Sequence, residues 1–261
     1  MKIRLGILFI ILLQGSYINA QEIFSPQVKP NTAFGKDEKL TYQIKYGFIV
    51  GGIATLSLNE AIENGEKVFH ALAVGKTTGL ANTIYGVEDT YESWFDKATN
   101  LPFKSVRNIR EGRYRKYNEV SYNHKHNTVH SKLSGVHSVP VKILDLTSTF
   151  YYLRRVDWSV MNKGDVVFVN MYFSDEIFPF RIIFKGKETI QTNFGKIECF
   201  KIMPVVEVGR MFKRSDDLTI WLTDDDNCIP VQVRMDIRIV GNVYLKLIKY
   251  ENIANPLASQ E

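Results

Sequence analysis

Residues 39–46 read KLTYQIKY, and their alternation decides the fold. Leu40, Tyr42, Ile44 and Tyr46 fall on one side of an extended chain, with Thr41, Gln43 and Lys45 on the other. Successive side chains of a strand point to opposite faces, so this period of two predicts a half-buried β-strand. The pattern returns in 67–74, 196–203, 218–222, 231–239 and 243–250. Asn64-Gly65, Asn193-Phe194-Gly195, the acidic run 224–227 and Gly241-Asn242 separate these runs with residues that favour turns. Short strands at such spacing predict an all-β, antiparallel sandwich or barrel. Gly47, Gly51 and Gly52 interrupt the next strand-like run, YGFIVGGIA, and predict bending of the sheet there.

One stretch predicts a helix, DLTSTFYYLRR at 145–155. Asp145 can cap it, Leu146, Phe150 and Leu153 share a face, and Arg154-Arg155 suit its C-terminal end. Residues 80–85 predict a single turn. There is no internal repeat and no linker long enough to separate two domains. The expected organisation is an irregular lead-in over 21–36, one β domain over 37–252 and a tail over 253–261 that frays from 255 onward.

Residues 1–20 have the layout of a secretory signal peptide. Lys2 and Arg4 precede an apolar run, LGILFIILL at 5–13, then polar 14–16 and small Ala20 before the expected cut. Nine apolar residues are too few to cross a bilayer, which needs about 20. The expected mature protein is therefore exported, periplasmic or otherwise secreted, and free of any integral membrane segment. Its two cysteines, Cys199 and Cys228, lie far from that junction, so no lipidated cysteine is expected. In an oxidising compartment they are candidates for a disulfide, the alternative being two unpaired thiols. Loss of Lys2 and Arg4 lowers the formal charge of +5 by two, too small a balance to imply a nucleic-acid partner.

The usual catalytic signatures GxSxG, GxxxxGK[ST], HExxH, CxxC and GxGxxG are absent, and no catalytic residue, metal site or cofactor is assigned. His124, His126 and His130 read as a polar hairpin rather than a metal site. Asp216-Asp217 and 224–226 read as turn chemistry rather than calcium ligands. Glu88, Glu92 and Asp96 are the residues a carboxylate-dependent hydrolase would use, which is the third functional reading. Arg107, Arg110, Arg113, Arg115 and Lys116, interleaved with Tyr114 and Tyr117, form the densest basic stretch. Its simplest reading is a solvated strand face paired to the acidic segment 88–96. In an exported protein its ligand would be lipid phosphate or an acidic glycan, which makes Arg113 and Arg115 candidate ligand residues. An outer-membrane barrel is disfavoured because Lys45, Arg181, Lys201, Arg234 and Arg238 interrupt its would-be lipid-facing strands.

Taken together, KLTYQIKYGFIVGG, EDTYESWFD with NLPF and REGRY, DLTSTFYYLRR and WLTDDDNCIPVQV resemble the exported bacterial family known as domain of unknown function 3108. The resemblance spans roughly residues 35–250. It implies a large antiparallel meander curled into a half-open barrel with one short covering helix, similar in outline to periplasmic lipoprotein carriers. It implies no activity. In such a shape Phe150, Tyr151 and Leu153 on the helix would close one end of an apolar interior, which makes them candidate ligand residues. The leading expectation is a non-enzymatic β domain that binds a lipid, a lipid-linked glycan or an envelope protein. The alternative is an envelope-assembly scaffold or interaction protein with no ligand cavity.

Overall fold

A computed structural model describes residues 27–63, 65–206, 212–238 and 241–258. The proposed signal peptide lies outside these. Fourteen strands and two helices follow in the order β1 (Glu38–Tyr46), β2 (Ile49–Glu63), β3 (Glu66–Thr77), α1 (Gly79–Ile84), β4 (Glu88–Phe95), β5 (Pro102–Glu111) and β6 (Tyr114–Asn123). Then come β7 (Thr128–Ser131), β8 (Gly135–Ser138), α2 (Leu146–Leu153), β9 (Val166–Phe173) and β10 (Glu176–Thr192). The chain continues through β11 (Gly195–Pro204), β12 (Leu218–Thr223), β13 (Pro230–Ile237) and β14 (Gly241–Glu251).

All fourteen strands form one antiparallel sheet in the order β8-β7-β6-β5-β4-β3-β2-β1-β14-β13-β12-β11-β10-β9. Each strand pairs with its neighbour in sequence except at the centre. There the first and last strands meet, with Lys39 opposite Glu251 and Tyr46 opposite Val243. The outer strands β8 and β9 are not paired to each other, so the barrel stays open. This is the mainly β, half-open architecture that the alternating pattern and the resemblance predict.

The gap is bridged by side chains. Asp175, in the β9–β10 turn, accepts hydrogen bonds from Ser131 Oγ of β7 (2.6 Å) and Asn118 Nδ2 of β6 (3.0 Å). Arg107 Nη1 of β5 donates to Ser174 Oγ at 2.7 Å, and its guanidinium lies 4.7 Å from the centre of the Phe173 ring. Beyond β8, residue 144 runs alongside β9 in parallel: Leu144 N donates to Asn170 O (2.9 Å), and Tyr172 N donates to Leu144 O (2.8 Å). The edge of β9 is thus covered, as exposed sheet edges in stable proteins are.

The glycines do different jobs. Gly47 has φ +56° in the β1–β2 turn, a conformation that favours glycine. Gly52 sits where a Cβ would come within 2.5 Å of the Lys76 carbonyl oxygen, so the β2 backbone lies close against β3.

The helix α2 has the expected cap. Asp145 accepts from Ser148 N at 2.8 Å while Ser148 Oγ accepts from Asp145 N at 3.0 Å, a reciprocal capping box. Its packing departs from the expectation. Leu146 is exposed, whereas Thr147, Ser148, Thr149, Tyr151 and Leu153 are buried. The helix packs against β3, β4 and β9, and its short polar side chains turn back on its own N-terminal backbone, as in Thr149 Oγ1 to Asp145 O at 2.6 Å.

Arg154 caps the C-terminal end of the helix, where the sequence places it. It is buried there and donates to both Glu38 oxygens (2.6 and 2.9 Å), to Ala33 O (2.9 Å) and to Asn227 O (3.0 Å). One side chain therefore ties α2 to the lead-in, to β1 and to the β12–β13 turn. The tail is likewise held: Asn255 N donates to Asn227 Oδ1 at 2.8 Å, and Ile253 and Leu257 pack on the main core. The expected fraying does not hold for 255–258, because the buried Asn227 holds Asn255 and the acidic turn holds Ala258 N.

Candidate functional site

The aromatic residues proposed to line an interior belong to its filling. Tyr151 is fully buried and packs against Phe34 at a ring distance of 4.7 Å and against Phe95 at 5.4 Å. Leu153 belongs to a second apolar cluster with Trp158, Val167 and Phe184. Phe150 stacks edge-on to Tyr151 and lies near the Arg154 guanidinium. Arg113 and Arg115 are elsewhere, at the exposed β5–β6 turn, where Arg115 Nη1 donates to Gly112 O and Tyr114 O. The structure does not bring these two sets together.

The carboxylates Glu88, Glu92 and Asp96 lie along β4 and its end. Four residues of strand separate neighbours by about 13 Å, beyond the 5–9.5 Å that glycosidase pairs span. Glu92 is instead paired with His70 at 2.9 Å, beside Trp94, and Asp96 accepts from Ala98 N and Thr99 N in a tight turn. Among the histidines, His124 Nε2 donates to Pro102 O, and His126 N donates to Asn123 Oδ1. Asp225 accepts from Thr223, Asn227 and Cys228 within its own turn. Among the described residues no three metal-binding side chains cluster.

Both cysteines are free and buried, in different clusters: Cys199 in that of Tyr151, Cys228 in that of Leu153. Burial pushes each thiol up to about 12, so neither supplies a thiolate at neutral pH.

A lateral cleft of about 530 Å³ opens on the surface. It lies between α2, the β9 edge and the β4–β5 turn, beside the gap in the sheet. Two smaller hollows, of about 40 and 30 Å³, hold no more than a water or two. The cleft falls within the 300–1,000 Å³ typical of ligand sites. Its lining is mixed: Leu101, Leu144, Val169 and Tyr152 supply apolar surface, Val141 and Phe168 are exposed, and Thr99, Asn170, Lys142 and Arg155 supply polar surface in about equal measure.

Two cations border this wall. Lys142 is exposed at the entrance. Arg155 is only 6% exposed, and its hydrogen bonds go to neutral acceptors, Lys29 O at 2.9 Å and the Asn100 side chain. Burial lowers its pKa, because the charged form is poorly solvated there. A buried guanidinium served by neutral partners is a natural seat for an anion. Neither the wall nor the cations were selected from the sequence, since they come together from positions 28 to 170 without a local pattern.

A family model described as a protein of unknown function (DUF3108) matches residues 41–248. No curated protein matches the chain. Among solved structures, a β-barrel-like protein of domain of unknown function DUF1849 from Brucella abortus superposes with a TM-score of 0.54 at 10% identity. That match covers 83% of this chain and 97% of that one, and it carries the fold alone. A protein of Bacteroides fragilis described as exported and YmcC-like in fold aligns at 12% identity and a TM-score of 0.37, over 87% of this chain and 99% of its own. A DUF1089 family protein from Pseudomonas aeruginosa aligns at 8% identity and a TM-score of 0.40, over 72% and 90%.

Proposed function

The chain belongs to the DUF3108 family of proteins of unknown function, and on that footing we propose that it is an exported, non-catalytic binding protein for an anionic amphiphile. The observation that carries this reading is the lateral cleft, where an apolar strip meets polar groups that include Arg155 and Lys142. An apolar body would lie along Leu144, Val169 and Phe168, and an acidic head would pair with Arg155, whose direct hydrogen bonds go to neutral acceptors and whose nearby carboxylate, Asp96, makes none with it. Lipid classes bearing a carboxylate or phosphate fit this division. The exported, periplasmic location rests on the N-terminal pattern, and in the described residues no helix is long and apolar enough to cross a membrane.

Native mass spectrometry of the protein purified without detergent, followed by displacement of a fluorescent long-chain acid, tests this. A removable added mass is expected, with hexadecanoate displacing the probe better than hexadecanol. Lys142→Glu is expected to weaken the acid and leave the alcohol unchanged. A clean apo mass together with no displacement by either compound would overturn the proposal and favour a scaffold without a ligand.

A further inference from the structure

Nine of the seventeen exposed large apolar side chains among the described residues gather at one end of the barrel. They come from three tips: the β1–β2 turn, α1 with the residue after it, and the β5–β6 turn. Phe48 is 91% exposed, and Leu80 and Ile84 are each 76% exposed. The tips form one rim, because Thr78 N donates to Gly51 O (3.1 Å) and Gly112 N donates to Gly86 O (2.7 Å). Val87 bridges to Glu111, and the Tyr85 ring lies against Gly112.

The same three tips carry half-exposed tyrosines, Tyr46, Tyr85, Tyr114 and Tyr117. Basic residues share this end: across 45–52, 76–89 and 107–117 seven Lys or Arg face three acidic residues. Lys76, Arg110, Arg113 and Arg115 are exposed. Of the acids, Asp89 is engaged by the backbone N–H of Arg110 at 3.0 Å. Exposed apolar side chains, tyrosines and cations gathered at one end are the combination with which a protein meets the acyl boundary, the interface and the anionic headgroups of a bilayer.

We propose that this rim docks the protein on an anionic lipid surface, with Phe48, Leu80 and Ile84 entering the interface and the arginines of the β5–β6 turn binding headgroup phosphates. The rim is separate from the lateral cleft, and its role stands whether or not the cleft takes a ligand. A protein partner is the competing occupant. It fits less well, because the apolar residues are spread over three separate tips and the charges around them are mostly basic, seven against three.

The test is co-sedimentation of the purified full-length gene product with vesicles of phosphatidylglycerol and phosphatidylethanolamine, against vesicles of phosphatidylcholine. Its N-terminus is read by mass spectrometry, so that the apolar run 5–13 is equally present or absent in wild type and variants. Wild type is expected to sediment with the anionic vesicles and to be released by salt. Each lost apolar anchor weakens partitioning by about tenfold, so Phe48→Ser, Leu80→Ser and Ile84→Ser together are expected to abolish it. Ile62→Ser, an exposed apolar residue away from the rim, is expected to sediment as wild type. Far-ultraviolet circular dichroism of the triple variant must match wild type. If it does not, Arg113→Glu with Arg115→Glu, both exposed, replaces it and is expected to lose the anionic preference. Wild type ignoring anionic vesicles, binding both kinds equally, or folded variants sedimenting as wild type would overturn the proposal.

Discussion

Replacing Arg154 with Met should be among the most damaging single changes available to this protein. The guanidinium is fully buried, both of its charged bonds go to the equally buried Glu38, and its remaining donors serve the backbone carbonyls of Ala33 and Asn227. Removing one member of such a pair leaves a carboxylate without a partner inside the protein, which costs about 3–5 kcal/mol. With a urea m-value near 3 kcal/mol/M, the midpoint should fall by roughly 1–2 M. The double variant Glu38→Leu with Arg154→Met removes both charges, so it should be less destabilised than either single variant alone. Urea unfolding followed by tryptophan fluorescence measures all four proteins. If Arg154→Met costs less than about 1 kcal/mol, or the double variant costs the sum of the two singles, the pair does not organise the interior as described.

Three further outcomes follow from other buried groups. Burial lifts the Asp145 carboxyl from 3.8 to about 6 despite the hydrogen bonds it accepts. The folded state therefore holds its proton more tightly than the unfolded state, and this contribution to stability is lost as pH rises from about 4 to about 6. The loss is on the order of 3 kcal/mol, and Asp145→Asn, which retains a capping side chain, should remove it. A stability difference between the two proteins that stays flat from pH 4 to 7 would count against the buried carboxylate. Without reductant, Cys199 and Cys228 should resist maleimide in the native protein and both react after unfolding; a mass two hydrogen atoms lighter with no labelling would reveal a bridge. Gly52→Ala must push its Cβ off the Lys76 carbonyl and should cost about 2 kcal/mol or more, while Gly75→Ala, with open space around it, should be near neutral in thermal melts.

The fold is legible in the sequence where one face of a strand is buried and the other wet, as in β1, whose Glu38, Leu40 and Tyr42 are buried while Lys39 is exposed. It is less so where that contrast fails. In β9, VVFVNMYF, Phe168 is exposed although it is apolar, so no alternation shows. Along β10 the register slips between Phe184 and Lys187, around Gly186 at φ +97°, and the period breaks with it. β7 and β8, at four residues each, are too short to display a period. The Asp145 cap is local and was readable, but Arg154 and Glu38 are 116 residues apart in the chain. The cleft was hidden for the same reason: its wall is assembled from the lead-in, a turn, a helix and an edge strand, none of which carries a recognisable motif.

The pairing of β1 with β14 also sets the order in which the chain can be finished. Every other ladder joins strands that are consecutive in sequence, so thirteen strands can zip up locally as hairpins during synthesis. The central ladder alone waits for the last segment to emerge, leaving one side of β1 an open template until then. Closing a loop of this length before its contacts repay it is slow. A chaperone that shields β1, or a ribosome that pauses before β14, would therefore govern whether two half-sheets join within one molecule or across two.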